Sequence, residues 1–402
     1  MWRNIVSMFL TLTVVLLIGV AVAVSWGRAQ YTEPGPSAVA QCVQIAPGAN
    51  LRGVSHQLAE QGAVSNAYIF RAGADYDGKA RDLKYGSYLV QPHSSMEEIV
   101  DVITAGGPST CGLEVIYRVG VRADSVVLRD INPQTGRYEE RASYNPANGE
   151  MPQAIGEAVE RPDARLRVAV AEGVTSWQVT EGLKRAPFMS GDVAGVPDEG
   201  RLAPDTYEVS AGADRAALLA EMQRRQDAIL NSAWESRDFG LPYESAEDVL
   251  IMASIIEKET AVASERRQVA SVFVNRLEQG MRLQTDPTVI YGVTEGRGIL
   301  DRGLRRSELD TRTDWNTYQI DGLPKTPIAN PGRASIEAAL NPDTTEYLFF
   351  VADGTGGHQF SRTLDEHNAA VARWRVIEAE QQARAAEASE AAAAAAEAES
   401  TN

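Results

Sequence analysis

The stretch Ala253-Ser-Ile-Ile-Glu-Lys-Glu-Thr260 places two carboxyl groups, Glu257 and Glu259, at the end of an apolar run. Ser245-Ala-Glu-Asp248 opens that run in the manner of a capping box, so the segment from Val249 to Thr260 is expected to be one helix. At ~100° per residue the two acids project from nearly opposite sides, and only one can enter a given cleft. Apolar positions 249–253, 255 and 256 define a face whose centre lies roughly 50° from Glu259 and roughly 110° from Glu257. Glu259 is therefore the acid that folding desolvates. Desolvation raises a carboxyl pKa toward neutrality, which lets the group hold a proton at working pH and donate it as a general acid. The plainer alternative leaves both acids in water, paired with Lys258, Arg266 or Arg267, as acids near helix ends usually are.

Other reactive residue types offer less. The four histidines are scattered, and His358 and His367 have no thiol or carboxylate in a ligand pattern, so no metal and no cofactor is expected. Asp286, directly before Pro287, is placed to cap a helix that runs to Tyr291. Cys42 and Cys111 stand at either end of one expected module. Outside the cytoplasm they can form a disulfide; two thiols packed as small hydrophobes fit the sequence as well. A formal net charge of −17 argues against a nucleic-acid partner, whose phosphates would be repelled.

Elements must position these groups, and the chain begins with one of its own. Residues 5–24 are uncharged and rich in Val, Leu and Ile. A helix of about 20 such residues covers the ~30 Å hydrocarbon core of a bilayer. Ala21 and Ala23 also have the spacing of a signal-peptide cleavage site, but the run exceeds the ~7–15 residues of a signal core, so residues 1–26 are read as a short stub and a transmembrane helix. Either reading sends the rest of the chain out of the cytoplasm. Residues 27–40, with Pro34, Gly35, Pro36 and Ser37, read as a linker.

The expected architecture is α+β. Residues 41–110 alternate at Val43–Ile45, turn at Pro47-Gly48, take helical spacing over 51–61 and again at 67–72, and alternate once more over 85–91. Ser95-Met-Glu-Glu98 then caps a helix to about Thr104. Strand, helix, helix, strand is the order of small sugar-binding LysM-type modules. Residues 111–165 read as an inserted β-rich lobe with Asn-Pro and Asn-Gly turns, and 166–244 as a second LysM-like or connecting region containing a strand at 166–170 and helices at 176–184 and 215–235. Residues 245–375 form a mainly helical domain around the two acids. Residues 376–402, almost entirely Ala, Glu, Gln, Arg and Ser, have no apolar stripe and read as a mobile tail.

Several blocks resemble the endolytic murein transglycosylases of the MltG (YceG-like) family: the Ala253–Thr260 segment, Val269-Ala-Ser-Val-Phe-Val-Asn-Arg-Leu277, Gly280-Met-Arg-Leu-Gln-Thr-Asp-Pro-Thr-Val-Ile-Tyr-Gly292, Asn316-Thr-Tyr318, Ile328-Ala-Asn-Pro-Gly332 and Tyr347-Leu-Phe-Phe-Val-Ala-Asp-Gly354. Glu199-Gly-Arg-Leu-Ala-Pro-Asp-Thr-Tyr207 is similar to a further element of that family, and the resemblance extends over about residues 43–375. It implies a lytic-transglycosylase domain in which Glu259, the acid before the Thr, is catalytic. The implied reaction breaks the β-1,4 bond between N-acetylmuramic acid and N-acetylglucosamine, with the muramic C6 hydroxyl attacking to leave a 1,6-anhydro end. One carboxyl serves both steps, whereas hydrolysis usually needs a second acid. Peptidoglycan glycan strands are then the partner, and the protein would be a single-pass inner-membrane protein with its catalytic part in the periplasm. The resemblance also implies action beside the synthases that make new strands, although no motif names one. Gln284, Tyr291, Asn316, Tyr318 and Asn330, neutral hydrogen-bonding residues on the loops that follow, are the candidates for contact with acetamido and hydroxyl groups. The alternatives are a membrane-anchored wall-binding scaffold without activity and a muramidase-type hydrolase.

Overall fold

The structure is a computed structural model that describes residues 2–46, 48–106, 110–132 and 135–400; the side chains of 2–6 and 389–400 are not described. Pro47 of the expected Pro47-Gly48 turn, Pro133 of an Asn-Pro turn and the side chains of Ile5 and Val6 lie outside the described residues. The chain divides into two compact units, one of residues 1–117, 125–168 and 207–211, the other of 118–124, 169–206 and 212–402.

In the first unit, α1 (Trp2–Thr32) is followed by β1 (Gln41–Ile45), α2 (Leu51–Glu60), α3 (Ala67–Tyr76), β2 (Gly86–Val90) and α4 (Met96–Thr104). The helix starts are specified locally. Asn50 accepts from the Gly53 amide, Asn66 from those of Tyr68 and Ile69, and Ser95 with Glu98 completes the expected capping box. β1 and β2 pair antiparallel with Cys42 opposite Leu89, and Leu58, Phe70, Tyr88, Ile99 and Ile103 fill the core between sheet and helices. Cys42 and Cys111 are joined in a disulfide, their Cα atoms 5.7 Å apart, which resolves the choice the sequence left open.

α1 contains a stretch, Ser7–Thr32, long and apolar enough to cross a membrane. The linker expected over residues 27–40 is not free chain. α1 continues to Thr32, Tyr31 is only 6% exposed, and Ser37 and Ala40 are buried. The sequence cues misled because Pro and Gly mark turns whether or not the turns are packed.

β3 (Glu114–Val119), β4 (Ser125–Asn132), β5 (Arg137–Tyr144), β6 (Arg165–Val170) and β7 (Thr206–Val209) form a sheet of order β5-β4-β3-β6-β7, with α5 (Gln153–Val159) between β5 and β6 in sequence. Glu114 is fully buried in β3. Burial pushes its carboxyl pKa up, but hydrogen bonds from Arg129 of β4 and Arg167 of β6 outweigh that and hold it below its ordinary value.

The second unit is mainly helical. It contains α6 (Ser176–Arg185), α7 (Arg215–Glu235), α8 (Ala246–Glu259), α9 (Arg266–Glu278), α10 (Asp286–Thr294), α11 (Arg306–Asp310), α12 (Arg333–Leu340), the antiparallel hairpin β8 (Phe349–Ala352) and β9 (His358–Ser361), and α13 (Leu364–Ser400). α8 lies at its centre, against α7, α9, α10 and α12, and every residue from Val249 to Ile256 is buried. Between its first and last turns the helix thus has no solvent face, and the expected apolar face extends all the way round. Ser254 is tolerated there because its hydroxyl donates to the Ile251 carbonyl and accepts from the Ile328 amide. Residues 378–388 of the Ala/Glu-rich tail continue α13 as exposed helix.

Candidate active site

Glu259 occupies the last turn of α8, where Thr260 adopts extended backbone (φ −139°, ψ 132°) and takes the chain away. The acid stays partly buried at the wall of a pocket of about 550 Å³, lined also by Arg276 of α9, Gln284–Asp286, Tyr318, Phe349 and Phe350 of β8, and His367 of α13. Gln284 has a left-handed backbone (φ +50°), an uncommon conformation for a side-chain-bearing residue, and it turns the chain so that Leu283 is buried while Thr285 faces Glu259. The Thr285 hydroxyl donates to Glu259 Oε1. Two further threonines secure that donor: the Thr285 amide donates to Thr317 Oγ1 at 3.0 Å, Thr317 and Thr288 hydroxyls lie 2.8 Å apart, and Thr288 Oγ1 donates to the Thr285 carbonyl at 2.7 Å.

Asp286 differs from expectation. The helix-capping position falls to Thr285, and Asp286 is the first residue of α10, its Oδ1 accepting from the Tyr318 hydroxyl at 2.7 Å. A carboxylate there still suits the positive end of the helix dipole. It also places a second negative charge beside Glu259.

The electrostatics follow from these contacts. Burial pushes the Glu259 carboxyl above its ordinary value, the Thr285 hydrogen bond pulls it down, the Asp286 charge pushes it up, and His358 and Arg276 pull it down; the net direction is up. Arg276 is itself buried and clamped, with Nε donating to the Leu348 carbonyl and Nη1 to the Leu283 carbonyl, both at 2.7 Å, and its guanidinium 5.2 Å from the Phe349 ring centre. The arrangement is a carboxyl whose proton affinity is raised chiefly by burial, in a pocket with aromatic walls, bonded by the Thr285 hydroxyl.

Glu257, two residues earlier, does not reach this pocket. Its Oε2 accepts from the Gly332 amide at 3.0 Å, just before α12. Neither acid is bonded to Lys258, Arg266 or Arg267 among the described ion pairs; Arg266 pairs with Glu172, Arg267 with Asp343, and Lys258 donates to the Gly173 carbonyl.

Of the five candidate contact residues, Gln284 and Tyr318 line the Glu259 pocket. Tyr291 lines a different depression of about 600 Å³ with Thr175, Gln178, Lys258 and Ile290. Its hydroxyl donates to Glu199 Oε2 at 3.1 Å, and Glu199 Oε1 accepts from the Ser176 amide at the start of α6. Burial raises the Glu199 carboxyl above its ordinary value. Asn316 and Asn330 are buried, and their amides are occupied by backbone. Asn316 donates to the carbonyls of Glu308, Leu309 and Thr311 and accepts from the Tyr318 amide. Asn330 donates to the Val174 carbonyl and accepts from the Leu202 amide. Thr285, Arg276 and the aromatic pair Phe349 and Phe350 escaped sequence reasoning. The one available signal was Arg276, an arginine near the end of the mostly apolar stretch Val269–Leu277.

Site and fold together define a mixed α+β protein whose helical unit holds a pocket with two carboxyl groups, Glu259 and Asp286, in its lining. The chain belongs to the YceG-like family, whose model matches residues 43–373. Over 180 residues it is 39% identical to a Bacillus subtilis protein named endolytic murein transglycosylase, covering 44% of this chain and 48% of that one. A Streptococcus pneumoniae protein of the same name is 25% identical over 339 residues, 82% of this chain and 57% of the relative. The chain thus spans about half the length of the curated relatives it matches. A solved YceG-like protein from Listeria monocytogenes aligns at 25% identity and a TM-score of 0.43, over 82% of this chain and 98% of that one.

Proposed function

We propose that the chain is an endolytic peptidoglycan lytic transglycosylase with Glu259 as its catalytic acid and base. The observation that carries this is one carboxyl with a raised proton affinity, held by Thr285 at the wall of an aromatic pocket, in a chain whose relatives are named for that activity. Protonated Glu259 gives its proton to the glycosidic oxygen between N-acetylmuramic acid and N-acetylglucosamine as the C1–O bond breaks. The resulting carboxylate takes the proton of the muramic C6 hydroxyl as that oxygen bonds to C1. The proton is returned to Glu259, no water is consumed, and a 1,6-anhydro end results. Asp286 favours the protonated starting form by repulsion, and Thr285 steadies the anion between the two steps. Gln284 and Tyr318 are the residues placed to meet acetamido or hydroxyl groups.

Residues 41–110, with β1-α2-α3-β2 in order, support a LysM-like wall-binding module, and residues 245–375 are the proposed catalytic domain. α1 is read as a single-pass anchor in the inner membrane with both units in the periplasm, and newly made strands beside their synthases as the working substrate. Digestion of purified glycan strands followed by mass spectrometry is the test. Anhydro-ended products, lighter by one water than reducing ends, support the proposal; reducing ends make the protein a hydrolase, and intact strands make it a scaffold.

A further inference from the structure

Where α1 ends, it does not hand over to a tether. Its residues are exposed from Ser7 through Trp26 and again at Arg28, partly covered at Gly27, Ala29 and Gln30, and buried at Tyr31. The Tyr31 ring lies against Gly73 of α3 so closely that a Cβ at that glycine would come within 2.2 Å of it. The Tyr31 hydroxyl donates to Asp77 Oδ2 at 2.7 Å, just beyond the end of α3. The next residues are pinned as well. The Gly35 amide donates to the His93 carbonyl at 3.0 Å, a Cβ on Gly35 would lie 2.2 Å from the Ser94 carbonyl oxygen, and the His93 amide donates to the Ser37 carbonyl at 2.7 Å. No slack remains between α1 and the first unit.

We infer that α1 is a stiff stalk whose last turn completes the core of the first unit, and that it sets the C-terminal end of α3, with Tyr76, among the lipid headgroups where α1 leaves the bilayer. This rests on the reading of α1 as a membrane anchor. The apolar run ends at Val24, and Tyr31 stands two helical turns further, about 10 Å along the axis. The headgroup zone on each side of the hydrocarbon is about 5–7 Å deep. Side chains on a helix lean toward its N-terminus, so the Tyr31 ring and the α3 end it grips lie at the level of that zone. Tyr76, next to Asp77, is 85% exposed, and Trp26 on α1 is exposed too; both are residue types that favour the membrane–water interface. Charge is not the cause, because Asp77, Glu97 and Asp101 cluster by Tyr31 and would repel anionic lipid. The contact follows from helix geometry.

The test uses the full chain in lipid nanodiscs. Tyr76→Cys is labelled with a fluorophore, the two native cysteines being tied up in their disulfide, and the discs carry lipid with a spin label on the headgroup. The label is expected to be strongly quenched. Tyr31→Ala, or an insertion of about six Gly and Ser residues after Ser25 that spares every packed residue, is expected to cut the quenching at least about twofold by freeing the module from the interface. Quenching that is absent in the parent, or unchanged by the insertion, overturns the stalk while leaving the anchor intact. A chain that fails to co-elute with the discs overturns the anchor reading and the stalk together.

Discussion

The Thr285 hydroxyl donates to Glu259 Oε1, joining the start of α10 to the end of α8 across 26 residues of sequence. That bond favours the charged form of Glu259, whereas burial and the neighbouring Asp286 favour the neutral form and prevail. The proposed acid therefore keeps its proton to higher pH than an ordinary carboxyl and has a ready partner once it ionises.

Glu259→Gln is expected to keep the fold and to lower strand cleavage by at least ~100-fold, the usual scale for losing a general acid–base group. Stability should move in the other direction. A carboxyl whose pKa is raised by folding adds stability below its unfolded value and loses it as pH climbs through the folded value. The variant should therefore match its parent in acid and melt higher at neutral and alkaline pH. Thermal melts across pH, paired with glycan digestion, check both halves; cleavage within a few-fold of the parent would sink the assignment.

Thr285→Val removes the donor that lowers Glu259, so the carboxyl should hold its proton to still higher pH. The alkaline limb of the turnover profile, which reports loss of the acid's proton, should shift upward while turnover at the optimum falls. An unmoved limb would mean that Thr285 does not act on the reacting carboxyl.

Glu257→Gln should cleave strands within a few-fold of the parent. Its carboxylate accepts from the Gly332 amide, and an amide oxygen can do the same, so the stability cost should not exceed about 1 kcal/mol. A dead but folded Glu257→Gln would transfer the catalytic role to the other side of α8.

Cys42 and Cys111 are separated by 69 residues, and closing a loop of that length restricts the unfolded chain by about 4 kcal/mol in the chain-entropy account. Cys42→Ser with Cys111→Ser should therefore destabilise the first unit by up to that amount. Denaturant titration with and without reductant reads it directly, and equal midpoints would contradict the disulfide.

The full-length protein should stay in the membrane fraction through a high-salt wash, which strips proteins held by charge alone. Release into the soluble fraction, with a mature N-terminus near Val24, would identify the segment as a cleaved signal peptide.

Features that depend on a few neighbouring residues were legible in the sequence alone. The capping boxes at Ser95 and Ser245 and the helical span of α7 are settled by local hydrogen bonds and side-chain periodicity, and stand in the structure where the sequence put them; an apolar N-terminal helix was legible too, although α1 runs on to Thr32. Glu259 was singled out the same way, from its place at the end of an apolar helix. Tertiary packing decided the rest. Arg276, Thr285, Asp286, Tyr318 and Phe349 come to Glu259 from separate segments, and no periodicity within any one of them reveals the meeting. Asn316 and Asn330 look as available as Gln284 in the sequence, yet burial commits their amides to backbone groups that would otherwise be unpaired. Tyr31 reads as part of a linker until Gly73, 42 residues away, supplies the notch that its ring fills. Local order is set by short-range bonds, but which polar group is spent inside and which faces a pocket depends on neighbours brought from far along the chain.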